Sequence, residues 1–295
     1  MRDVAIVSFA SFVSQSADQD DTEMLVQVIG EALAEAGVSK NEIGFTCSGS
    51  CDYLGGRPFS FVMALDAVGA WPPIQESHVE MDGAWALYEA WVRLQHGDID
   101  TALVYAFGRA TQGNLDEVRA TQLDPYYVAP LWPGAARLAE LQARAVGDTI
   151  GAHRYADGAS AIVLAAGDAA RRMSKRPAWI RGIDHRIEAH SLGARDLARS
   201  ASTETAARRA GAHGKRADVA ALHAIYKHEE RILRDALALP KETRVATPEH
   251  DPFIVTGLNC LGHAARAIKG GAKSAIAHAT SGPCLQQNLV CVLEA

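Results

Sequence analysis

The sequence predicts an α/β protein made of two similar βαβ halves, residues 1–170 and 171–295, with sheets and helices in layers. Three observations carry that prediction. Apolar runs of strand length alternate with helix-period segments from one end to the other. The two halves end alike: Thr101–Ala106 takes the place of Ser274–Ala279, and Ala159–Ala165 that of Leu289–Leu293. A length of 295 residues suits one large α/β unit or two modest halves. Right-handed crossovers then imply mostly parallel strands, with helices between and outside two sheets. One continuous doubly wound sheet is the alternative.

The elements follow in order. Val4–Phe9 reads as a buried strand, and Thr22–Ala36 as a helix with Leu25, Val28, Ile29 and Leu33 on one face. Gly37 stops that helix, as a glycine just past a helix end does. Phe45–Ser50 is a strand, Tyr53–Pro58 a loop, Glu76–Val79 a short run into a helix at Gly83–Gln95, and Thr101–Phe107 a strand. In the second half, Trp179–Ile187 and Val219–Ala224 read as strands and His228–Leu239 and Phe253–Ala267 as helices. Ser274–Ala279 and Leu289–Leu293 read as the closing strands. An excursion over about 108–155 breaks the duplication: a Pro- and Tyr-rich stretch, Asp124–Pro133, precedes a helix at Ala135–Val146. Such excursions carry function or an interface. Thr203–Arg216, rich in Ala and Arg, reads as a solvated helix and loop.

Composition narrows the function classes. The chain is 48% hydrophobic with a net charge of −6 and interspersed signs. It has no basic face for nucleic acid or an anionic membrane. No apolar run reaches the ~18–20 residues of a membrane span. Met1-Arg2-Asp3 enters a strand at once without a cleavage pattern, so the expected location is the cytoplasm. Cys47, Cys51, Cys260, Cys284 and Cys291 read as reduced thiols, and no second Cys/His pair with zinc spacing accompanies Cys47 and Cys51, so no metal is expected.

Four stretches together carry a resemblance. Val4-Ala5-Ile6-Val7 opens the first strand. Tyr155-Ala156-Asp157-Gly158-Ala159 leads another. Val219–Tyr226 contains Leu222-His223-Ala224-Ile225-Tyr226, and Ala277-His278-Ala279-Thr280-Ser281-Gly282-Pro283 runs on into Leu285–Asn288. In order and spacing the chain resembles the thiolase-like superfamily, nearest its bacterial lipid-transfer branch related to the thiolase half of sterol carrier protein X. The resemblance implies duplicated thiolase-like halves and a site for acyl-CoA thioesters.

The departures bear on chemistry. The family's nucleophilic cysteine begins a Cys-x-x-Gly-x-x-Ala pattern; here Gly83 and Ala86 keep the pattern and Glu80 stands in the nucleophile's place. A carboxylate forms no persistent thioester with an acyl group, so the ping-pong mechanism lacks its nucleophile. Asp251, after His250, stands where the family has the histidine of Gly-His-Pro. The long loop subdomain is mostly missing, since Val146–His153 runs almost directly into the Asp-Gly-Ala strand.

The candidate catalytic residues are therefore His223, His278, Glu80 and Asp251, with Ser281 and Gly282 as substrate-binding residues. His223, at a predicted strand end, is placed as acid/base. His278 and the Ser281-Gly282 amides are placed to steady an enolate or thioester oxygen. Glu80 reads as a base, a partner of His278 or a helix cap, with Asp82 its competitor for the cap. Asp251 reads as a partner of His223 or His278, or as the cap of the helix begun by Pro252 and Phe253. The loop tyrosines Tyr53, Tyr126 and Tyr127 are given no role.

The resemblance implies a carbon–carbon lyase of retro-aldol type acting on β-hydroxyacyl-CoA thioesters in lipid or sterol side-chain breakdown. The alternatives are an acetyl-CoA acyltransferase with a displaced nucleophile, Cys284, and a non-catalytic acyl-CoA-binding or scaffold subunit. No cofactor is expected beyond coenzyme A within the substrate. The expected partners are a second copy or a close paralogue, and a small OB-fold protein with a zinc ribbon.

Overall fold

Ten strands form the frame of the computed structural model, which describes residues 2–56 and 58–295. They are β1 (Val4–Ser14), β2 (Phe45–Gly49), β3 (Glu76–Val79), β4 (Thr101–Arg109), β5 (Asp157–Ala166), β6 (Ala178–Ile187), β7 (Val219–Leu222), β8 (Arg244–Ala246), β9 (Ser274–Ser281) and β10 (Gln287–Glu294). Their order is β3-β2-β4-β5-β1-β6-β10-β9-β7-β8. Read inward from either edge, the third-, second-, fourth-, fifth- and first-occurring strands of each set follow in the same sequence, so the topology is duplicated.

Two expectations are corrected. The strands are not mostly parallel: β5 runs antiparallel to both β1 and β4, and β10 antiparallel to both β6 and β9. Among the described residues, the strand pairs that run parallel are β2 with β3 and β4, and β7 with β8 and β9. The last strand of each half inserts between the first and fourth, which reverses its direction relative to both. The two sets also join edge to edge, because Ala5 and Ile6 of β1 pair with Trp179 and Ala178 of β6. The result is one hydrogen-bonded sheet with two inner faces.

Those inner faces enclose two helices, α4 (Gly83–His96) and α10 (Thr256–Lys269), as numbered in chain order. One core cluster holds Val104 and Phe45 of the first set, Ala221 and Ala277 of the second, and Leu87 and Leu261 of the helices. Outside the first set lies α1 (Asp21–Ala36), whose Met24, Leu25 and Val28 pack on Ala5, Val163 and Leu103. Outside the second set lie α8 (Ala201–Ala210) and α9 (Lys227–Ala236), packed on Leu222, Ile276 and Val290. Residues 203–216 thus begin in a core helix rather than a solvated one. Ala206, Ala207 and Ala210 are buried on one stripe, and a Cβ on Gly182 of β6 would come within 2.1 Å of the Ala210 carbonyl oxygen. Small residues let α8 sit this close, and their low hydrophobicity hides the stripe in the sequence.

Glycine also sets the meeting of the central helices. A Cβ on Gly83 would lie 2.6 Å from that of Ala106, and one on Gly257 would lie 2.5 Å from Asp82 Oδ1 and 2.6 Å from Ala279 Cβ. Both helix N-termini therefore converge on Asp82, which accepts from Ala84 N–H at 2.8 Å, Gly257 N–H at 2.7 Å and Leu258 N–H at 3.1 Å. The Asp-Gly-Ala strand has its own reason. Asp157, fully buried, ties Ala17 and Thr111 to β5, and Gly158 leaves room for Phe12 and Pro252. No helix among the described residues is long and apolar enough to cross a membrane.

A candidate acid–base site at the ends of β7 and β9

His223 follows β7 directly, and its backbone N–H donates to the His278 carbonyl of the parallel neighbour β9 at 3.2 Å. The C-terminal ends of parallel strands collect functional residues in α/β folds. The His223 ring is buried, and Thr280 N–H donates to its Nδ1 at 3.3 Å. Burial pushes its pKa down to about 4, with Asp251 opposing and the Arg119 and His153 charges adding to the fall. The imidazole is therefore neutral at physiological pH. With Nδ1 accepting, its proton lies on Nε2. In this tautomer His223 presents Nε2 as a hydrogen-bond donor.

A second set of groups is linked by hydrogen bonds around Asp251. Asp251 is 1% exposed, and its carboxylate accepts from Phe253 N–H at 2.9 Å, Thr256 Oγ1 at 2.7 Å and His153 Nε2 at 2.9 Å. Arg119 stands 3.8 Å away. Burial alone would raise the Asp251 pKa. The His153 bond and the His223, His153 and Arg119 charges outweigh it and hold the carboxyl well below the usual carboxylate range. The backbone is fixed too: Asp251 N–H donates to Arg154 O and Ala156 N–H to Asp251 O. An ionised Asp251 keeps the His153 proton on Nε2. His153 Nδ1 is then an acceptor, and the Tyr226 hydroxyl 2.8 Å away donates to it. Burial and the nearby carboxylates raise the Tyr226 phenol pKa, so the hydroxyl stays protonated.

These groups surround a cavity of about 50 Å³ whose wall includes His223, His153, Tyr226, Asp251 and the Thr280–Gly282 turn. The far wall comes from α6 (Ala135–Ala145). Its Gln142 is 1% exposed, lines the cavity and has no hydrogen-bond partner on either Oε1 or Nε2. A buried carboxamide without partners is costly, and ligand polar atoms would satisfy it. Asp82 closes the floor; burial pushes its pKa up to about 8, against its three N–H donors. Cys284 also reaches the wall, but its Sγ donates to Leu138 O at 3.3 Å and burial pushes its thiol up to about 11.

Of the residues expected from the sequence, His223, Asp251, Ser281 and Gly282 meet at this cavity. Asp251 accepts from Phe253 N–H, as a cap would, and also binds His153. Glu80 and His278 are not brought there. Glu80 is exposed after β3 and accepts from Asp52 N–H, while Asp82 takes the α4 cap. His278 sits within β9, where residues alternate between faces. Ala277 and Ala279 face α10, whereas His278 turns to the α8 side and bonds Asn288 Oδ1 at 3.0 Å. Asn288 in turn donates to Ser202 Oγ at 2.7 Å. Burial pushes the His278 pKa down to about 3, so this is a neutral structural network. His153, Tyr226 and Gln142 are the functional candidates that sequence reading passes over, and Asp82 entered it only as a helix cap. Tyr226 lay in a quoted motif and His153 beside another; Gln142 left only its place on a helix face.

No protein-family profile matches the chain, and no curated protein matches it by sequence. The fold does have relatives of known structure. Human mitochondrial 3-ketoacyl-CoA thiolase superposes over the whole chain and 99% of its own, with a TM-score of 0.74 and 14% identity. The same human enzyme in complex with CoA gives a TM-score of 0.73 and 13% identity, again over the whole chain and 98% of its own. At such identities the likeness concerns architecture alone: the chain has the thiolase fold.

Proposed function

We propose that the cavity cleaves a carbon–carbon bond in a β-hydroxyacyl-CoA thioester by a retro-aldol reaction, without a covalent acyl-enzyme. The observation that carries this reading is the Tyr226–His153–Asp251 chain facing His223 across a cavity that has no acidic thiol. The likeness in fold to a protein solved with CoA supports the substrate class.

The steps balance. Tyr226 takes the β-hydroxyl proton of the substrate as it passes its own to His153 Nδ1, and the imidazolium is stabilised by Asp251. The Cα–Cβ bond breaks, its electrons moving onto the thioester as an enolate while the former carbinol carbon becomes a ketone or aldehyde. His223 Nε2–H and the Ser281-Gly282 amides hold the enolate oxygen. His153 returns the proton through Tyr226 to Cα, leaving a shortened acyl-CoA. Gln142 holds the substrate carbonyl or hydroxyl. About 50 Å³ holds only the reacting segment, so the acyl and CoA portions lie outside the wall formed by α6 and Tyr226.

An acetyl-CoA acyltransferase with Cys284 as a displaced nucleophile is the alternative, which the likeness to thiolases supports, while the Sγ bond to Leu138 and the thiol pushed up by burial weigh against it. A non-catalytic acyl-CoA-binding or scaffold role is the second reading, and the small cavity favours it. The lipid-transfer branch, sterol side-chain breakdown, a cytoplasmic location, two halves divided near residue 170 and a homodimer or paralogue heterodimer belong to the same proposal. So does a small OB-fold, zinc-ribbon partner. Incubation with β-hydroxyacyl-CoA thioesters and mass detection of a carbonyl fragment with a shortened acyl-CoA tests the reaction. No product with or without a co-purified partner would leave the scaffold reading.

A further inference from the structure

On the other side of Asp251 from the catalytic cavity lies a second space. It is a groove of about 300 Å³ between α10 and the segment that follows β8. That volume is at the lower end of the ~300–1,000 Å³ typical of small-molecule sites. Its floor is apolar, with Ala221, Pro248, Pro252 and Cys260 on the wall, and Val13 of β1 closes one side. Gln15 and His250 bond across the rim at 2.8 Å.

Thr247, Glu249, His250, Thr256, Asn259 and His263 bring polar groups to the same lining, and among them Asn259 is the one with a buried polar atom lacking a partner. Asn259, on the α10 face that also presents Thr256, Cys260 and His263, is 8% exposed and lines the groove. Its Oδ1 is buried with no hydrogen-bond partner. Thr256, one turn earlier, is engaged by Asp251 and does not reach it. A helix position facing an apolar wall would be occupied at lower cost by leucine, since an enclosed acceptor without a donor is destabilising. A bound molecule that brings the donor removes that cost.

We propose that the groove is a second ligand site, for an apolar molecule or acyl chain that carries one hydroxyl or amide N–H directed at Asn259. Asp251 lines the catalytic cavity and Pro252 the groove, so the two are separate spaces.

Three probes with the same tail test this: octanol, octanamide and N,N-dimethyloctanamide, the last without a donor. Binding is followed on the full chain by ligand-observed NMR and calorimetry. Octanol and octanamide are expected to bind at least ~10-fold tighter than the dimethyl amide. In Asn259→Leu the three should bind alike, and its unfolding midpoint without ligand should rise. Ala246→Phe, an exposed edge position at the groove, should block all three, and this variant carries the test if Asn259→Leu fails to fold. His223→Ala should leave octanamide binding unchanged, whatever it does to turnover. Equal binding of the three probes to the native chain would overturn the proposal. So would a donor preference that survives in Asn259→Leu, or loss of binding in His223→Ala rather than in Ala246→Phe.

Discussion

Asp251→Asn perturbs the proposed base chain while keeping its shape. The asparagine oxygen can still accept from Phe253 N–H and Thr256 Oγ1, now 2.9 and 2.7 Å from Oδ1. The other position becomes an NH₂ group facing His153 Nε2, now 2.9 Å from Oδ2. Two donors cannot face each other, so the His153 proton moves to Nδ1, and Nδ1 no longer accepts from Tyr226. Loss of the general base implies a fall in turnover of about 10²–10⁴-fold. Stability falls as well. A hydrogen bond to a charged group is worth about 1.5–3 kcal/mol, and breaking a buried pair costs about 3–5 kcal/mol. Because two of the bonds persist, about 2–4 kcal/mol is expected at pH 7 by urea unfolding.

The pH dependence separates charge from packing. The folded carboxyl titrates well below its unfolded value of about 3.9. Its stabilising contribution is therefore present above about pH 4 and is lost as pH falls from there toward the folded pKa. The gap between native and variant unfolding midpoints should stay wide from pH 7 to about pH 4.5 and narrow below pH 4. A gap constant down to pH 3, or a variant with native turnover, would refute the assignment of an ionised Asp251 that orients His153.

Three further outcomes follow. His223→Ala should lower turnover by about 10²–10³-fold, as loss of one oxyanion donor does, and the native rate should show no loss between pH 8 and 5 from His223 itself, whose pKa is near 4; a rate that falls with a pKa near 6.5 assigned to His223 by NMR would contradict this. Gly257→Ala should cost about 1–3 kcal/mol or more, because its methyl group would meet both Asp82, held by three backbone N–H groups, and Ala279; unchanged urea unfolding would count against the tight convergence of α4 and α10. Cys284, with its thiol near 11, should resist iodoacetamide at pH 7.5 in the native state and react after unfolding.

The architecture was legible because its strands are strong apolar runs and its halves end alike. Thr101–Ala106 and Ser274–Ala279 do occupy equivalent places as β4 and β9, each beside the inserted last strand. Strand direction was not legible, since insertion of β5 between β1 and β4 depends on contacts far apart in sequence. The three-residue edge strand β8 has exposed ends and carries almost no apolar signal. At the site, His223, Asp251, Ser281 and Gly282 were reachable from motif and strand-end position. His278 was misplaced by treating proximity along β9 as proximity in space, although alternation puts it on the face of Ile276 rather than of Ala277. His153 could not be read from sequence alone. Its partner Asp251 is brought to it by pairing of the Tyr155 and Asp251 backbones.

In the proposed reaction, acid–base cleavage runs through Tyr226 and His153 with no acyl-enzyme. It is tested most directly by incubating the native chain, Tyr226→Phe and His153→Ala with a β-hydroxyacyl-CoA, reading products and intact protein mass in the same samples. The native chain should give a carbonyl fragment and a shortened acyl-CoA with no protein adduct, and both variants should stay folded and lose about 10²–10⁴-fold in rate. A stoichiometric acyl adduct on Cys284, or native turnover in Tyr226→Phe and His153→Ala, would contradict that reaction.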